Sequence, residues 1–573
     1  MGTVGNEQYF GHIDVGGPIL DGKLAYRINL LAQDGETSIK FQEKERQLAS
    51  IALDWNVTPD LLVQVNASVG KIHIRGRQGT FYFENPSINA FRDGTYYPDL
   101  LESYENTTFF TGVTSPPPGL PDPTTPFASK DTFADAKTRF TGANIHYKLN
   151  DWISFRAAGV IYIRDMLEVW GNTFFTLNPD VFRADIRARR GYGKSKGAYG
   201  YVDVNFQTGP LEHKLTAGAN GYYTLINQQT ATFQSPNLVP GETNRYMYYY
   251  YSGRFSDPSL ISNFDLDQYD VLSLLAPRRH HTSDTKNYNL IIGDDIKITD
   301  QWSVMLGVNY STLRTRGFNA NTGIRTSQYK SSAWTPTIAV LYKPLPYVTT
   351  YASYIESLEA GVNVPATSSY LNAGETLPPF SSSQYEFGVK AKLGGMFLTA
   401  AFYQINKALQ YADTSRNLYV QDGRQRHRGF EFTARGKLTD DLTLMGGFNI
   451  TRAKRLKSSN PRLDGLAMRN VPKFSGKIYL EYDIPVIEGL TVTGGINHYG
   501  KTYLDDNLRL QIPAFTFGDL GLRYSHSIKE NTIIYRLNIT NVTNAKYWYG
   551  GGGSSHLSLG LPRNIALTAE IQF

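Results

Sequence analysis

The chain has 573 residues, a net charge of +6 and no Cys. The lack of Cys excludes disulfide frameworks and thiolate metal sites, and the small positive charge, with no basic stripe or nucleic-acid motif, gives no case for DNA or RNA as a partner. No apolar run is long enough for a transmembrane helix, and the start, MGTVGNEQYF, lacks the basic residues and apolar stretch of a signal peptide.

Segments of about ten residues with a period of two recur along the chain, as in β-strands with one apolar face. The first lies near residues 7–17 and the last is RNIALTAEIQF, residues 563–573. Between them, in chain order, the clearest are WISFRAAGVIY, YGYVDVNFQ, WSVMLGVNYS, SQYEFGVKAKL, GFEFTARGKL, DLTLMGGFNIT, KFSGKIYLEYD, GLTVTGGINHY and TIIYRLNITNV. Tilted strands of this length span a bilayer, so the pattern predicts transmembrane strands.

The connections between these segments alternate in length. Tight turns are predicted at 148–151, 207–212, 298–301, 393–395, 437–441 and 527–531, and long polar loops at 76–136, 165–194, 225–284, 355–382 and 453–472. Soluble sandwiches, propellers and solenoids also alternate in polarity, but they have shorter strands or a fixed repeat. The sequence therefore predicts an all-β protein, a transmembrane antiparallel β-barrel that crosses the bacterial cell outer membrane many times.

The alternation also assigns side chains to the two faces of the wall. Six apolar residues of the last two strands are expected to face lipid: Ile533, Leu537, Ile539, Ile565, Leu567 and Ile571. Arg536 and Glu570 fall on the opposite face, which lines the interior. Aromatic residues at strand ends suit the interfacial girdles: Trp152, Tyr162, Trp302, Tyr310, Tyr482, Tyr499 and Tyr524.

The number of strands predicts the type of barrel. The pattern shows about 21 strands, whereas bacterial barrels of one chain have an even number. We therefore expect the 22-stranded outer-membrane transporter type, with its first strand absent from the chain, ahead of Met1. The terminal Phe573 is expected to face lipid, on a closing strand that leaves no unpaired edge. It also resembles the signal that the barrel-assembly machinery reads.

Several segments resemble TonB-dependent siderophore receptors. They are DVGGPILDGKLAYRINLLAQDGETS, YVTTYASYIESLEAG, LNAGETLPPFSSSQYEFGVKAKL, RHRGFEFTARGKLTDDLTLMGGFNIT, NVPKFSGKIYLEYDIP and NITNVTNAKYWYGGGGSSHLSLGLPRNIALTAEIQF, in the order of the family. The resemblance implies an outer-membrane receptor that takes up a ferric siderophore or a similar metal chelate, and it implies neither an enzyme nor a bound cofactor.

In that family a plug domain and a TonB-binding box precede the barrel. We therefore expect residues 1–573 to be one barrel domain that is truncated at its N-terminus. The resemblance then implies that coupling to the TonB complex requires the missing N-terminal segment.

The candidate ligand-binding residues are aromatic, Arg and His side chains of the long loops. Aromatic faces and Arg suit a flat, anionic metal chelate, and adjacent imidazoles suit a metal or an anion. For the aromatic residues the open alternative is packing of the loops over the interior or a place in the outer girdle, and for the two His it is an ordinary polar loop. The candidates are Arg245, Tyr246, Tyr248, Tyr249, Tyr250, Tyr251, Arg254, His280, His281, Tyr547, Trp548 and Tyr549.

Charged residues on the polar faces of the strands form a second candidate set. They are Glu386, Lys390, Glu431, Arg435, Lys477, Glu481, Asp519, Arg523, Arg536 and Glu570. In the family such positions contact the plug, and a water-filled wall of mixed charge is the alternative.

The remaining motifs carry no chemistry. GGGGSS, residues 550–555, lacks the ending of a phosphate loop, and no Ser/His/Asp arrangement stands out among ten scattered His. We therefore predict no catalytic residue and no metal site. Two other functions stay open beside the receptor: a passive outer-membrane porin, and a surface barrel that serves as adhesin or phage receptor.

Overall fold

The computed structural model describes residues 1–83, 91–92, 95–96, 120–175, 181–230, 251–254, 279–319, 322–364, 370–413, 415–458, 461–504, 508, 511–550 and 556–573. Within these residues nearly every regular element is a strand, and the one helical element is a 3₁₀ turn at Pro461–Leu463. No helix in this part of the chain is long and apolar enough to span a membrane.

Twenty-two of the described strands form one closed antiparallel barrel, and we number them β1 to β22 in chain order. The first eleven are Gly2–Val4, Gln8–Ile19, Leu24–Asp34, Glu43–Thr58, Leu61–Arg75, Phe133–Lys148, Ile153–Phe175, Val181–Thr208, Leu211–Thr230, His280–Lys297 and Trp302–Phe318. The other eleven are Arg325–Leu345, Val348–Glu359, Phe380–Leu393, Met396–Asp413, Leu418–Lys437, Leu442–Lys457, Phe474–Asp483, Leu490–Tyr499, Phe515–Ile528, Asn531–Thr540 and Asn564–Gln572.

The six tight turns predicted from the sequence all lie at one end of the barrel. The tight turns predicted from the sequence are confirmed, for example 209–210 between β8 and β9 and 394–395 between β14 and β15. Because short turns face the periplasm in bacterial barrels, the opposite end is the extracellular mouth.

The barrel closes through β1, which lies between β2 and β22. Thr3 pairs with Tyr9 on one side and with Leu567 on the other, and the amide of Ala569 donates a hydrogen bond to the carbonyl of Met1 at 2.9 Å. The predicted count of 22 is confirmed, but the prediction that the first strand lies wholly ahead of Met1 is wrong. Three residues are too few to show a period of two, so the pattern missed this strand.

The two faces of the wall differ as the alternation predicts. Leu537 pairs with Leu567 and Ile533 pairs with Ile571, and these side chains share one face with the other predicted lipid-facing residues. Arg536 and Glu570 lie on the opposite face and form an ion pair at 2.6 Å. In a transmembrane barrel the apolar face meets lipid and the polar face lines the interior, and we call them the outer face and the interior face.

Two predicted girdle residues are on the wrong face. Tyr162 lies an even number of residues from Arg156, which pairs with Asp203 on the interior face. Tyr499 likewise lies two residues from Asn497, whose amide donates to Asp519 at 3.1 Å. An aromatic residue near a strand end belongs to a girdle only if the alternation of the strand also places it on the outer face.

Many strands continue far beyond the predicted outer ends. The loop predicted at 165–194 is mostly a hairpin of β7 and β8, whose ladder runs from Ile153 paired with Val204 to Phe175 paired with Phe182. Beyond the bilayer neither face has to be apolar. The strands therefore continue to pair there, although their residues no longer alternate between apolar and polar.

A group of buried side chains covers part of the extracellular mouth, and we call it the cap. Segments between β5 and β6, between β19 and β20 and between β21 and β22 supply its members: Phe81, Phe127, Leu504, Ile512, Trp548, Leu557 and Leu559, none more than 3% exposed. Short strands join these segments to the main sheet, because Thr80–Phe83 pairs with both β7 and His556–Leu559.

Candidate functional site

A pocket of about 460 Å³ lies at the extracellular mouth, beside the cap. Its aromatic wall comes from the outer end of β19, from the start of β20 and from the segment after β21. The residues of this wall are Tyr499, Phe515, Phe517, Tyr547 and Tyr549. Asn470, Thr502, Ile512 and Leu561 are among the side chains that complete the lining.

Strand parity turns the rings of this wall toward the interior. Phe515 and Phe517 lie at even spacings from Asp519 on β20, so all three share the interior face. Tyr499 on β19 pairs directly with Phe515, and their rings stack with centroids 5.0 Å apart. Tyr547 stacks on Phe515 at 4.1 Å with an interplanar angle of 11°. The result is a stack of near-parallel aromatic rings at the mouth.

Two polar atoms at this pocket have no hydrogen-bond partner in the described structure, namely Oδ1 of Asn470 and Oγ1 of Thr502. Asn470 is held by its backbone, because its amide donates to the carbonyl of Tyr503 at 2.7 Å and its φ is +57°. A buried polar atom without a partner is unfavourable by about 1–3 kcal/mol. A bound ligand with donor groups would satisfy both oxygens.

Burial at this pocket also changes the ionisation of Tyr547. Removal from water raises the pKa of its phenol, and the nearby Tyr549, Tyr499 and Asp519 raise it further. The phenol therefore stays neutral at physiological pH and keeps its proton as a hydrogen-bond donor. An aromatic face with a neutral donor suits a flat ligand that carries acceptor oxygens.

The structure brings together only part of the predicted ligand-binding set. Tyr547 and Tyr549 line the pocket. Trp548 does not, because alternation turns it into the cap, where its ring meets the edge of Phe81 at 4.9 Å. Arg245, Tyr246, Tyr248, Tyr249 and Tyr250 lie outside the described residues, and for Tyr251 and Arg254 only the backbone is described, in the strand Tyr251–Arg254.

The two adjacent His residues lie at the outer end of β10, away from this pocket. His281 Nε2 is 2.8 Å from Asp284 Oδ2, and His281 Nδ1 is 3.2 Å from Asn227 Oδ1. Asp284 is fully buried and is also bound by Arg316 at 2.7 Å. His281 is therefore engaged within the wall. No group of three His, Asp or Glu among the described residues is arranged to hold a metal ion.

The predicted interior charges are linked to polar or aromatic neighbours on the same face. Glu481 is 3.6 Å from Arg523, and Glu431 accepts a hydrogen bond from Asn449 at 2.6 Å. The other contacts are Glu386 with Tyr351 and Gln384, Asp519 with Asn497 and the amide of Asn541, Lys390 above the ring of Tyr351, and Arg435 above the ring of Phe397. Lys477 pairs with Asn497 across β18 and β19.

Sequence reasoning missed Phe515, Phe517, Asn470 and Thr502. A signal for the first two was present, because FTFGD repeats the period of two and places both rings with Asp519. Asn470 comes from an irregular segment, and Thr502 lies in the two-residue strand Thr502–Tyr503. Neither is part of a stretch long enough to show a periodic pattern.

A family model described as "TonB dependent receptor-like, beta-barrel" matches residues 74–544. This chain belongs to the TonB-dependent receptor family. The family is made of outer-membrane transport receptors, so the chain is an outer-membrane protein and not an enzyme. Membership also favours the receptor over the passive porin and the adhesin.

Relatives and solved structures agree with this assignment. The ferrichrome receptor FcuA of Yersinia enterocolitica is 25% identical over 99% of this chain and 69% of its own length. The metal-pseudopaline receptor CntO of Pseudomonas aeruginosa is also 25% identical, over 99% of this chain and 74% of its own. The ferric preacinetobactin receptor BauA of Acinetobacter baumannii superposes with a TM-score of 0.84 at 25% identity, over 100% of this chain and 79% of BauA.

Proposed function

We propose that this chain is the barrel of a receptor that takes up a ferric siderophore or a similar metal chelate across the outer membrane. The observation that carries the proposal is the pocket at the mouth, where Tyr547 stacks on Phe515 beside the unpartnered oxygens of Asn470 and Thr502. The family supports it, since the relatives above are named for ferrichrome, metal-pseudopaline and ferric preacinetobactin.

The pocket suits such a ligand for physical reasons. A ferric chelate presents flat π-systems at its surface, which gain from stacking on Tyr499, Phe515 and Tyr547. Its peripheral hydroxyl and amide groups would donate to Asn470 Oδ1 and Thr502 Oγ1, while the neutral phenol of Tyr547 would donate to an acceptor oxygen. We propose that the loop residues predicted from the sequence, from Arg245 to Arg254, add to this site from the extracellular side.

We also propose partners for the rest of the barrel. The interior charges, such as Arg536 and Glu570, would contact a plug domain of the kind found in this family, and the TonB complex would supply energy through the segment that carries the TonB box. The outer face would contact outer-membrane lipid. Phe573, which is 90% exposed, would be read by the barrel-assembly machinery.

Direct binding tests the proposal on the full chain in detergent. Ferric hydroxamate, ferric catecholate and ferric carboxylate chelates, with their iron-free forms, are titrated while intrinsic fluorescence is followed. We expect one class to bind in its ferric form at micromolar Kd or tighter, and the iron-free form to bind more weakly. If no ferric chelate of any class binds to the folded barrel, the proposal is wrong.

A further inference from the structure

Among the described residues, no charged side chain lines the pocket at the extracellular mouth. The polar groups of its lining are uncharged: the amide of Asn470, the hydroxyl of Thr502 and the phenols of Tyr499, Tyr547 and Tyr549. The other side chains of the lining are apolar or aromatic. The pocket therefore offers hydrogen bonds and aromatic faces to a ligand, but no cation that would offset a negative charge.

Two lysines neighbour this lining in the chain without contributing to it. Lys501 lies between Gly500 and Thr502, and Lys546 precedes Tyr547, but both side chains are exposed and neither lines the pocket. Salt ions screen an exposed ammonium over about 8 Å at physiological ionic strength. Neither lysine therefore supplies the close, desolvated contact that a buried anion needs.

A carboxylate lies below this pocket, on the interior face of β20. Asp519 follows Phe517 by two residues, which places it about 7 Å closer to the periplasm. One of its oxygens accepts a hydrogen bond from the backbone amide of Asn541 at 2.8 Å, and the other accepts from the side-chain amide of Asn497 at 3.1 Å. Both donors are uncharged, so they hold the carboxylate in place without neutralising it.

The negative charge of Asp519 has no cationic partner close by. Arg523 lies on the same face of β20, but it is directed to Glu481 at 3.6 Å, and no described Lys, Arg or His lies within 4.0 Å of the Asp519 carboxylate. The charge reaches the pocket, because it adds to the effect of burial in raising the pKa of the Tyr547 phenol. A ligand in the pocket therefore meets a negative potential from below.

Ferric chelates of different classes carry different charges. Three hydroxamates, with one negative charge each, neutralise Fe³⁺, whereas three catecholates, with two negative charges each, leave a trianionic complex. An anion that enters an uncharged pocket loses its hydration and gains no opposite charge. At about 8 Å from a carboxylate and an effective dielectric constant of about 40, each negative charge on the ligand weakens binding about fivefold.

We propose that this pocket selects ferric chelates by charge: it takes an uncharged complex of the trihydroxamate class and rejects anionic ones, and Asp519 sets this selectivity. The selectivity rests on the proposed function, because it names the class of chelate that the same pocket takes up. The planar hydroxamate groups pack on the rings of Phe515 and Tyr547. Asp519 does not contact the chelate and acts through its charge alone.

Fluorescence titration of the full chain in a nonionic detergent tests the class of ligand. The probes are two uncharged ferric trihydroxamates, one linear and one cyclic, together with a trianionic ferric tris-catecholate and ferric citrate. We expect at least one trihydroxamate to bind at micromolar Kd or tighter. The tris-catecholate should bind about a hundredfold more weakly, since three negative charges each contribute about a factor of five.

A matched pair of ligands isolates the effect of charge. The trihydroxamate that binds more tightly is modified at its periphery, away from the iron, with a carboxylate or with the methyl ester of the same group. On the unchanged chain the acid should bind about fivefold more weakly than the ester. Raising NaCl from about 0.05 M to about 0.5 M should narrow this difference, because salt screens the repulsion.

The variant Asp519→Asn removes the charge, and its amide oxygen can still accept from Asn541. The acid and the ester should then bind within about twofold of each other, and Kd for the ester should stay within about twofold of its original value. Asp519→Glu keeps the charge and should keep the fivefold difference. Heat-dependent electrophoretic mobility shows that each variant is folded.

The matched control is Asp54→Asn. Asp54 lies on the interior face near the periplasmic end of β4 and accepts a hydrogen bond from the amide of Gln64 at 3.0 Å. It is not part of the pocket, so the control removes the same charge at a distance and should leave the acid and the ester fivefold apart.

The outcomes separate this selectivity from the proposed function. Arg245 and Arg254 remain in the tested chain, so tight binding of an anionic chelate without binding of either trihydroxamate would overturn the selectivity and leave the receptor function intact. Equal binding of acid and ester to the unchanged chain, or an undiminished difference in Asp519→Asn, would also overturn it. Only a failure of every ferric chelate to bind would refute the proposed function itself.

Discussion

The wall of the barrel and the cap over its mouth are held together in different ways. In the wall, apolar side chains such as Leu567 and Ile571 point outward and are 52% and 61% exposed in the isolated molecule. In the cap, Phe81, Leu504 and Leu557 are fully buried against other protein atoms. The wall therefore depends on its backbone ladder and on lipid, whereas the cap depends on burial from water as a soluble domain does.

One chain can therefore use β-strands in two environments, against lipid in the wall and against other protein atoms in the cap. In the wall one face must be apolar at every second residue, because each side chain meets either lipid or the interior. In the cap a strand such as Thr80–Phe83 buries individual side chains where they contact another segment. The ring centroids of Phe81 and Phe127, for example, are 5.4 Å apart. A mutation in one region should therefore destabilise that region and leave the stability of the other unchanged.

The largest expected effect is on the cap. Phe81→Ala removes a fully buried ring and should lower the free energy of cap unfolding by about 3–5 kcal/mol. Hydrogen exchange at the amides of Leu557 and Trp548 should accelerate accordingly, while the heat-resistant mobility of the barrel is unchanged. The control Phe402→Ala removes a ring that is 62% exposed on the outer face and should leave cap exchange as it was. Unchanged exchange in Phe81→Ala would contradict a separately packed cap.

The second effect is on the wall. Leu537 lies near the middle of β21 on the outer face, and Leu537→Arg should destabilise the barrel by about 2–4 kcal/mol. Ser353→Arg is the control, because Ser353 lies on the interior face and pairs with Glu386, so it should have little effect. Urea unfolding in lipid vesicles measures both. Equal losses would show that the two faces are not distinguished by solvent.

The third effect is on ligand affinity and separates the pocket from the outer-face aromatics. Tyr547→Ala removes the ring that stacks on Phe515 and should weaken binding of the recognised ferric chelate about tenfold to a hundredfold. Tyr535→Ala removes a ring of the same type that is 50% exposed on the wall and should not change Kd. Fluorescence titration gives both values, and a normal Kd for a folded Tyr547→Ala chain would exclude this ring from the site.

The smallest effect concerns an ion network at the outer ends of β15 and β16, beyond the membrane-spanning part. Hydrogen bonds from Ser415 and Arg416 lower the pKa of Asp413 to about 2, and one from Lys457 lowers the pKa of Asp422 to about 2. Because both values lie below the usual value of 3.8, the network stabilises this region above about pH 4 and loses that effect as the pH falls toward 2.

Hydrogen exchange in this outer hairpin measures the pH dependence. Protection of the amide of Arg416, which donates to Asp413 at 3.1 Å, should be constant from about pH 7 to pH 5 and fall below about pH 4. In Asp413→Asn the protection should be weaker at neutral pH and the drop smaller. A loss of protection that begins near pH 6 would point to a different titrating group.

The sequence predicted the wall well because lipid imposes a period of two. It placed Leu537 and Leu567 on one face and Arg536 and Glu570 on the other, as the register confirms. The pattern failed where lipid is absent: the hairpin of β7 and β8 continues through a predicted loop, and β1 is too short to show any alternation. The face errors at Tyr162 and Tyr499 have a different cause, because there the position near a strand end was read without parity.

The site was predicted only in part. Tyr547 and Tyr549 were candidates because aromatic clusters are visible in the sequence, and both line the pocket. Trp548 between them lies in the cap instead, because alternation continues through the cluster. That these rings bind a ligand stays a prediction. Asn470 and Thr502 are brought to the pocket by tertiary packing of segments more than 30 residues apart in the sequence. No local pattern encodes that proximity.

A structure of the full chain bound to its ferric chelate, determined by crystallography or electron microscopy, would show whether the pocket at the mouth is the binding site. We predict that the chelate lies against the stacked rings of Tyr547 and Phe515, with a polar group of the ligand within hydrogen-bond distance of Asn470 Oδ1 or Thr502 Oγ1. A chelate bound elsewhere, with the aromatic pocket empty and both oxygens still unpartnered, would contradict the claim.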